Sequence, residues 1–185
     1  MIEFGHSTHV GLRREHNEDT YYADSELGLW LVADGMGGHE NGEVASALAR
    51  DTLVREIKAG EVLSRAIQLA DEEIIKHSNR RPQALPMGTT VAAVRVQGNT
   101  YEIAWVGDSR VYGAEDGEFR QLSQDHSYVR ELVERIQERE RGDNLGHVRV
   151  RVRVAGEDPL VGLAGKRGVE CCLRREVRRR VARLQ

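Results

Sequence analysis

Cysteine is nearly absent from the chain: there are two in 185 residues, and they are neighbours, Cys171 and Cys172. Adjacent cysteines do not form an ordinary structural disulfide, and no Cys/His spacing of the zinc-binding kind is present, so neither a disulfide framework nor a zinc site organises the fold. No apolar run approaches the length of a membrane span. Met1-Ile2-Glu3-Phe4-Gly5-His6 has neither the basic nor the apolar region of a secretory signal, so the expectation is a cytoplasmic protein without a membrane partner. What is present, 39 % hydrophobic and 31 % charged residues, is a soluble globular composition, long enough for one core and too short for two comfortable ones.

The net charge of −3 conceals a division. Residues 1–135 hold 14 Lys+Arg against 23 Asp+Glu, whereas residues 136–185 hold 13 against 7. The second part has few large apolar residues beyond Val and Leu and no sustained period, so residues 136–185 are expected to be an Arg-rich tail, poorly ordered or poorly packed. Arg149-Val150-Arg151-Val152-Arg153-Val154 alternates as a strand does, with one face all arginine.

The first part is organised around Leu29-Trp30-Leu31-Val32-Ala33, a short apolar run that reads as a buried strand, followed by Asp34 and a turn with glycines at 35, 37, 38 and 42. These glycines leave the backbone able to take positive φ and to approach a ligand closely. Before it, residues 2–10 and Tyr21-Tyr22-Ala23 have strand composition and enclose the polar loop 11–19. After it, Val44, Ala45, Leu48, Ala49 and Leu53 recur at helical spacing through about Lys58, and Leu63, Ala66, Ile67, Ala70 and Ile74 predict a second helix. Thr89–Val96 and Thr100–Val106 read as a hairpin around Gln97-Gly98-Asn99, Val111–Gly113 and Phe119–Leu122 as a shorter pair, and Tyr128–Glu134 as a helix behind Ser123-Gln124-Asp125-His126. Strands, two helices and a meander of strands make an α+β order with antiparallel sheets.

Glu18-Asp19, Asp34 with Gly35, and Asp108 each adjoin a predicted strand. Mg²⁺ and Mn²⁺ take oxygen ligands and keep several waters, so a few carboxylates and one carbonyl from separate strand ends suffice to hold them. Aspartates at strand ends also simply favour turns, and spacing alone leaves both readings open.

Five stretches in order carry more than any one alone: RREHNED at 13–19, VADGMGGHENGEVAS at 32–46, GTT at 88–90, VGDSRVY at 106–112 and LSQDHS at 122–127. Together they resemble the metal-dependent type 2C serine/threonine protein phosphatases, of the compact bacterial type, over about residues 1–135. The resemblance implies an αββα sandwich of two antiparallel sheets flanked by helices, here incomplete at the C-terminus. It implies that Asp34 bridges two Mn²⁺ or Mg²⁺ ions, that the Gly35 carbonyl binds one, that Asp108 serves a third, weaker ion, and that Glu18 and Asp19 hold metal-bound waters at the site edge. Arg14 would grip the substrate phosphate through its bidentate fork, and His39 or His126 would protonate the leaving oxygen. The implied reaction is direct in-line hydrolysis of phosphoserine or phosphothreonine by a water shared between two cations. The implied partners are phosphorylated proteins made by a serine/threonine kinase, with no nucleic acid, the protein acting as a monomer.

The chain departs from that family where it becomes Arg-rich. Two further metal aspartates, in a Ser-Asp-Gly and an Asp-Asn motif, are expected downstream and neither motif is present; Asp143-Asn144 and Asp158 lack the strand-turn setting. The expectation is a truncated product whose tail is read in another frame. Its alternative function is a catalytically incomplete member that binds phosphoprotein or metal without turnover. A nucleotide-binding reading of Asp34-Gly35-Met36-Gly37 lacks a second glycine-rich lid. The Cys172-x5-Arg178 spacing lacks the small residues of a thiolate phosphatase loop, and the arginines at 174–183 lack interleaved aromatics for nucleic acid.

Overall fold

The apolar run at 29–33 forms a strand buried on both faces, each of its residues at most 1 % exposed. The structure, a computed structural model, describes residues 2–12, 15–37, 41–80, 86–115, 118–126, 149–154, 160–164 and 169–175. In chain order its elements are β1 (Ile2–Thr8), β2 (Asp19–Asp24), β3 (Leu29–Met36), α1 (Asn41–Lys58), α2 (Leu63–Asn79), β4 (Gly88–Thr89), β5 (Val91–Gln97), β6 (Thr100–Val106), β7 (Arg110–Glu115), β8 (Glu118–Gln121), β9 (Arg149–Val154), β10 (Leu160–Ala164) and β11 (Val169–Arg175). The expected hairpin is β5–β6, with Gln97 opposite Thr100 around Gly98-Asn99. Tyr128–Glu134, expected as a helix, lies outside the described residues.

Two antiparallel sheets result. The first has the order β2-β3-β5-β6-β9, with β4 on the end of β3, and the second β1-β11-β10-β7-β8. Alternation along the strands of the first sheet builds two cores. Leu29, Leu31 and Ala33 of β3 join Val91, Ala93 and Ala104 beneath Ala49, Leu53 and Ile57 of α1 and Leu63, Ala66, Ile67 and Ala70 of α2. Trp30 and Val32 point the other way and pack with Ala92, Val94, Ile103, Trp105, Val111 and Leu122. A strand covered on both faces has no polar face to alternate with, which is why β3 is a continuous apolar run. The sandwich of antiparallel sheets flanked by helices is thus present, both described helices lying against the first sheet.

Helix α1 ends at Gly60, whose φ of +99° turns the chain while Gly60 N donates to Ile57 O. Helix α2 has no side-chain cap at Val62, and the Glu102 carboxylate of β6 lies near the Leu63 N–H of its first turn. Among the described residues no helix is long and apolar enough to cross a membrane.

Three of the described strands, β9, β10 and β11, lie after residue 135. β9 pairs with β6, while β10 and β11 fill the second sheet between β7 and β1, placing Leu160 opposite Ala114 and Gly5 opposite Cys172. The physical reason is the sheet edge: without them β1, β6 and β7 would each expose a row of unsatisfied backbone groups. Asp143-Asn144 and Asp158 lie outside the described residues.

Candidate metal centre

Asp34 and Asp19 face each other directly across the β3–β2 ladder. Asp34 shares its face of β3 with Trp30 and Val32, so both carboxylates point into the space between the sheets at the end of the sandwich. Asp34 is only 6 % exposed. Two carboxylates in that relation repel, and a cation between them turns the repulsion into binding.

The main chain around this pair is closed by backbone contacts. Gly35 N donates to Glu18 O at 3.1 Å, which brings the residue before β2 onto the end of β3. A Cβ on Gly35 would lie 1.9 Å from Gly42 O and 2.7 Å from Glu18 O, so close backbone approach rather than positive φ requires this glycine. Of the four glycines that free this turn to take positive φ, Gly37 does so at +149°, and Gly38 lies outside the described residues. The Glu18 side chain lies against Gly42 in the first turn of α1, and Ser46 Oγ donates to Glu18 O at 2.7 Å. Glu18, Asp19, Asp34 and Gly35 are therefore one cluster.

Asp108 sits half-buried in the turn between β6 and β7 and joins that cluster through buried hydroxyls. Asp34 N donates to Thr90 Oγ1 at 3.1 Å, and Thr90 Oγ1 lies 2.6 Å from Ser109 Oγ. The same turn is clasped from the other side. Gly107 N donates to His126 Nδ1 at 3.2 Å and His126 N to Gly107 O at 2.9 Å, while Arg110 makes a forked ion pair with Asp125, the shortest contact being 2.6 Å. Hydrogen bonds from Arg110 to Asp125 and then Tyr112 raise the guanidinium above its ordinary range. His126 thus serves the Gly107 turn through Nδ1. Arg14 and His39, the two remaining expected catalytic residues, lie outside the described residues. Ser46, Thr90 and Ser109 carry no role in the sequence reading although each lies inside a quoted motif; a hydroxyl embedded in an apolar strand or helix face was the available signal.

The donor set is all oxygen, which suits a hard divalent cation rather than zinc or copper. Among the described residues no three His, Cys, Asp or Glu side chains converge as a full ligand set.

Residues 11–161 match the family model for protein phosphatase 2C. The chain belongs to the protein phosphatase 2C family. That match continues past residue 135 into the Arg-rich part, through β9 and into β10. The chain is 37% identical over 140 residues to the serine/threonine protein phosphatase PstP of Mycobacterium tuberculosis, covering 72% of this chain and 27% of that protein. It is 35% identical over 172 residues to the serine/threonine phosphatase stp of Listeria monocytogenes, covering 86% of this chain and 66% of that one. The chain therefore spans a quarter to two thirds of the length of these relatives. The crystal structure of the PstP catalytic domain in complex with two manganese ions superposes with a TM-score of 0.73 at 30% identity, over 88% of this chain and 76% of that one. Its fold is the two-sheet sandwich described above.

Proposed function

We propose that this chain is a metal-dependent protein phosphatase that hydrolyses phosphoserine and phosphothreonine, with its centre at the Asp19–Asp34 strand edge. The observation that carries the reading is the register itself: it sets two carboxylates opposite one another on the cleft side, beside the Gly35–Glu18 closure. A manganese-bound relative of the same fold supports it. Asp34, the Gly35 carbonyl and Glu18 would hold Mn²⁺ or Mg²⁺, two ions in all, with Asp108 available to a third. When bound, the ions would supply a water of lowered pKa and charge stabilisation for in-line attack on phosphorus.

The chain's own residues do the rest. Asp19 orients water at the site edge by hydrogen bonding, Arg14 grips two phosphate oxygens through its planar fork, and His39 delivers a proton to the departing serine or threonine oxygen. The substrates are phosphoproteins made by a serine/threonine kinase, and the protein acts as a cytoplasmic monomer without nucleic acid. The test is phosphate release from a phosphothreonine and a phosphotyrosine peptide, with Mn²⁺ and with chelator. Release from the phosphothreonine peptide that needs Mn²⁺ is the expected result; equal metal-independent release from both overturns the reading.

A second reading, an incomplete member that binds metal or phosphoprotein without turnover, is favoured by the absence of a three-carboxylate cluster among the described residues. It predicts Mn²⁺ binding with no phosphate release.

A further inference from the structure

We propose that Thr90 is a positioning residue that locks the Asp34 strand end and the Gly107–Asp108 turn into one rigid unit. Three different parts of this residue are engaged. Its N–H donates to Asp34 O at 2.9 Å, and its hydroxyl accepts the Asp34 N–H at 3.1 Å, so both peptide groups of Asp34 are pinned by one partner. The same hydroxyl shares a proton with Ser109 Oγ at 2.6 Å, Thr90 being 4 % and Ser109 0 % exposed. Its methyl group meets the other turn: a Cβ on Gly107, where φ is +90°, would lie 2.7 Å from Thr90 Cγ2.

Thr90 stands between β4 and β5, outside the ladders that its neighbours Thr89 and Val91 make with β3 and β6, and so is placed by these contacts. Ser109 is the residue after Asp108, and Gly107 the residue before it, so Thr90 touches both flanks of that aspartate. Loss of the hydroxyl removes the acceptor of the Asp34 N–H and the partner of Ser109 at a buried position, and the strand end and the turn are then free to shift independently. The conformations of Asp34 and Asp108 are in this way coupled through one side chain.

This inference rests on the metal reading above. The test measures Mn²⁺ binding to the full chain by the electron paramagnetic resonance signal of the unbound ion, alongside the urea midpoint of the metal-depleted protein. Thr90→Val, which keeps the shape and loses the hydroxyl, is expected to weaken Mn²⁺ binding about 10- to 100-fold, the range found when groups that orient metal ligands are removed. Thr90→Ser, which keeps the hydroxyl, is expected to bind close to wild type. Thr52→Val, at a hydroxyl 2 % exposed in α1, controls for the loss of a buried hydroxyl elsewhere. If Thr90→Val does not fold, Ser109→Ala carries the same expectation. Wild-type protein that binds Mn²⁺ while Thr90→Val binds equally well, or Thr52→Val weakens binding as much, overturns the role of Thr90 alone. Wild-type protein that binds no Mn²⁺ overturns the metal reading and this inference together.

Discussion

The two sheets are assembled from chain segments of different reach. In the first, β5 and β6 meet through a two-residue turn and β2 and β3 through a turn at 25–28, with both cores packed on the shared strands. In the second, β7–β8 and β10–β11 are local pairs, but β1 at one end of the chain pairs with β11 near the other, Ile2 standing opposite Arg175, and β7 reaches across to β10. Local pairs close with little loop entropy, whereas the β1–β11 ladder of the second sheet joins across most of the sequence. The Asp19–Asp34 edge belongs to the first sheet, so the candidate centre rests on the more self-sufficient half of the molecule.

Core deletions break this comparison most sharply. Leu31→Ala, at a side chain with no exposure, is expected to cost about 2–5 kcal/mol by urea denaturation. Phe4→Ala in β1, where Phe4 is 40 % exposed and meets Trp30 edge-on, is expected to cost about 1 kcal/mol. Equal losses would show that the second sheet contributes as much to the core as the first. Gly35→Ala comes next: its Cβ would meet backbone atoms that have no rotamer to yield, and a loss of about 1–3 kcal/mol is expected with impaired metal binding. Near-wild-type stability would mean that the strand end moves away from α1 without cost.

Smaller effects sharpen the electrostatic side. Asp24 accepts N–H bonds from Leu27 and Glu26 and the Tyr22 hydroxyl, and its carboxyl is held below the usual range, chiefly by the Leu27 N–H and then Tyr22. The stabilisation is therefore present above its unfolded pKa and lost as pH falls through the lower folded one. Asp24→Ala is expected to cost about 1 kcal/mol at neutral pH, with the gap from wild type closing in acid; a gap constant down to pH 3 would contradict it. Glu102 has the opposite sign. Burial pushes its carboxyl up against the pull of Arg95 and the Leu63 N–H, so its contribution is full below the unfolded pKa and is lost as pH rises through the folded one. Glu102→Gln keeps an acceptor for Leu63 N–H and is expected to change stability by no more than about 0.5 kcal/mol at neutral pH.

What the sequence made legible follows the same division. β3, α1, α2 and the β5–β6 hairpin carry their period or turn residues locally, and the acidic residues at 18, 19, 34 and 108 lie inside motifs that name a family. The β1–β11 ladder has no such local signal, since strands at the two ends of the chain are specified by their pairing. The sequence reading of residues 2–10 and Tyr21–Ala23 as flanking strands likewise could not show that β1 and β2 lie in different sheets. Thr90 and Ser109 were invisible for a related reason: their importance lies in a contact between two turns.

Whether the Asp19–Asp34 edge holds a divalent cation is decided by calorimetric titration of the metal-depleted protein with Mn²⁺, wild type against Asp34→Asn. Saturable binding to wild type that disappears in Asp34→Asn, with the variant still folded, is the expected result. Equal binding to both proteins would contradict it.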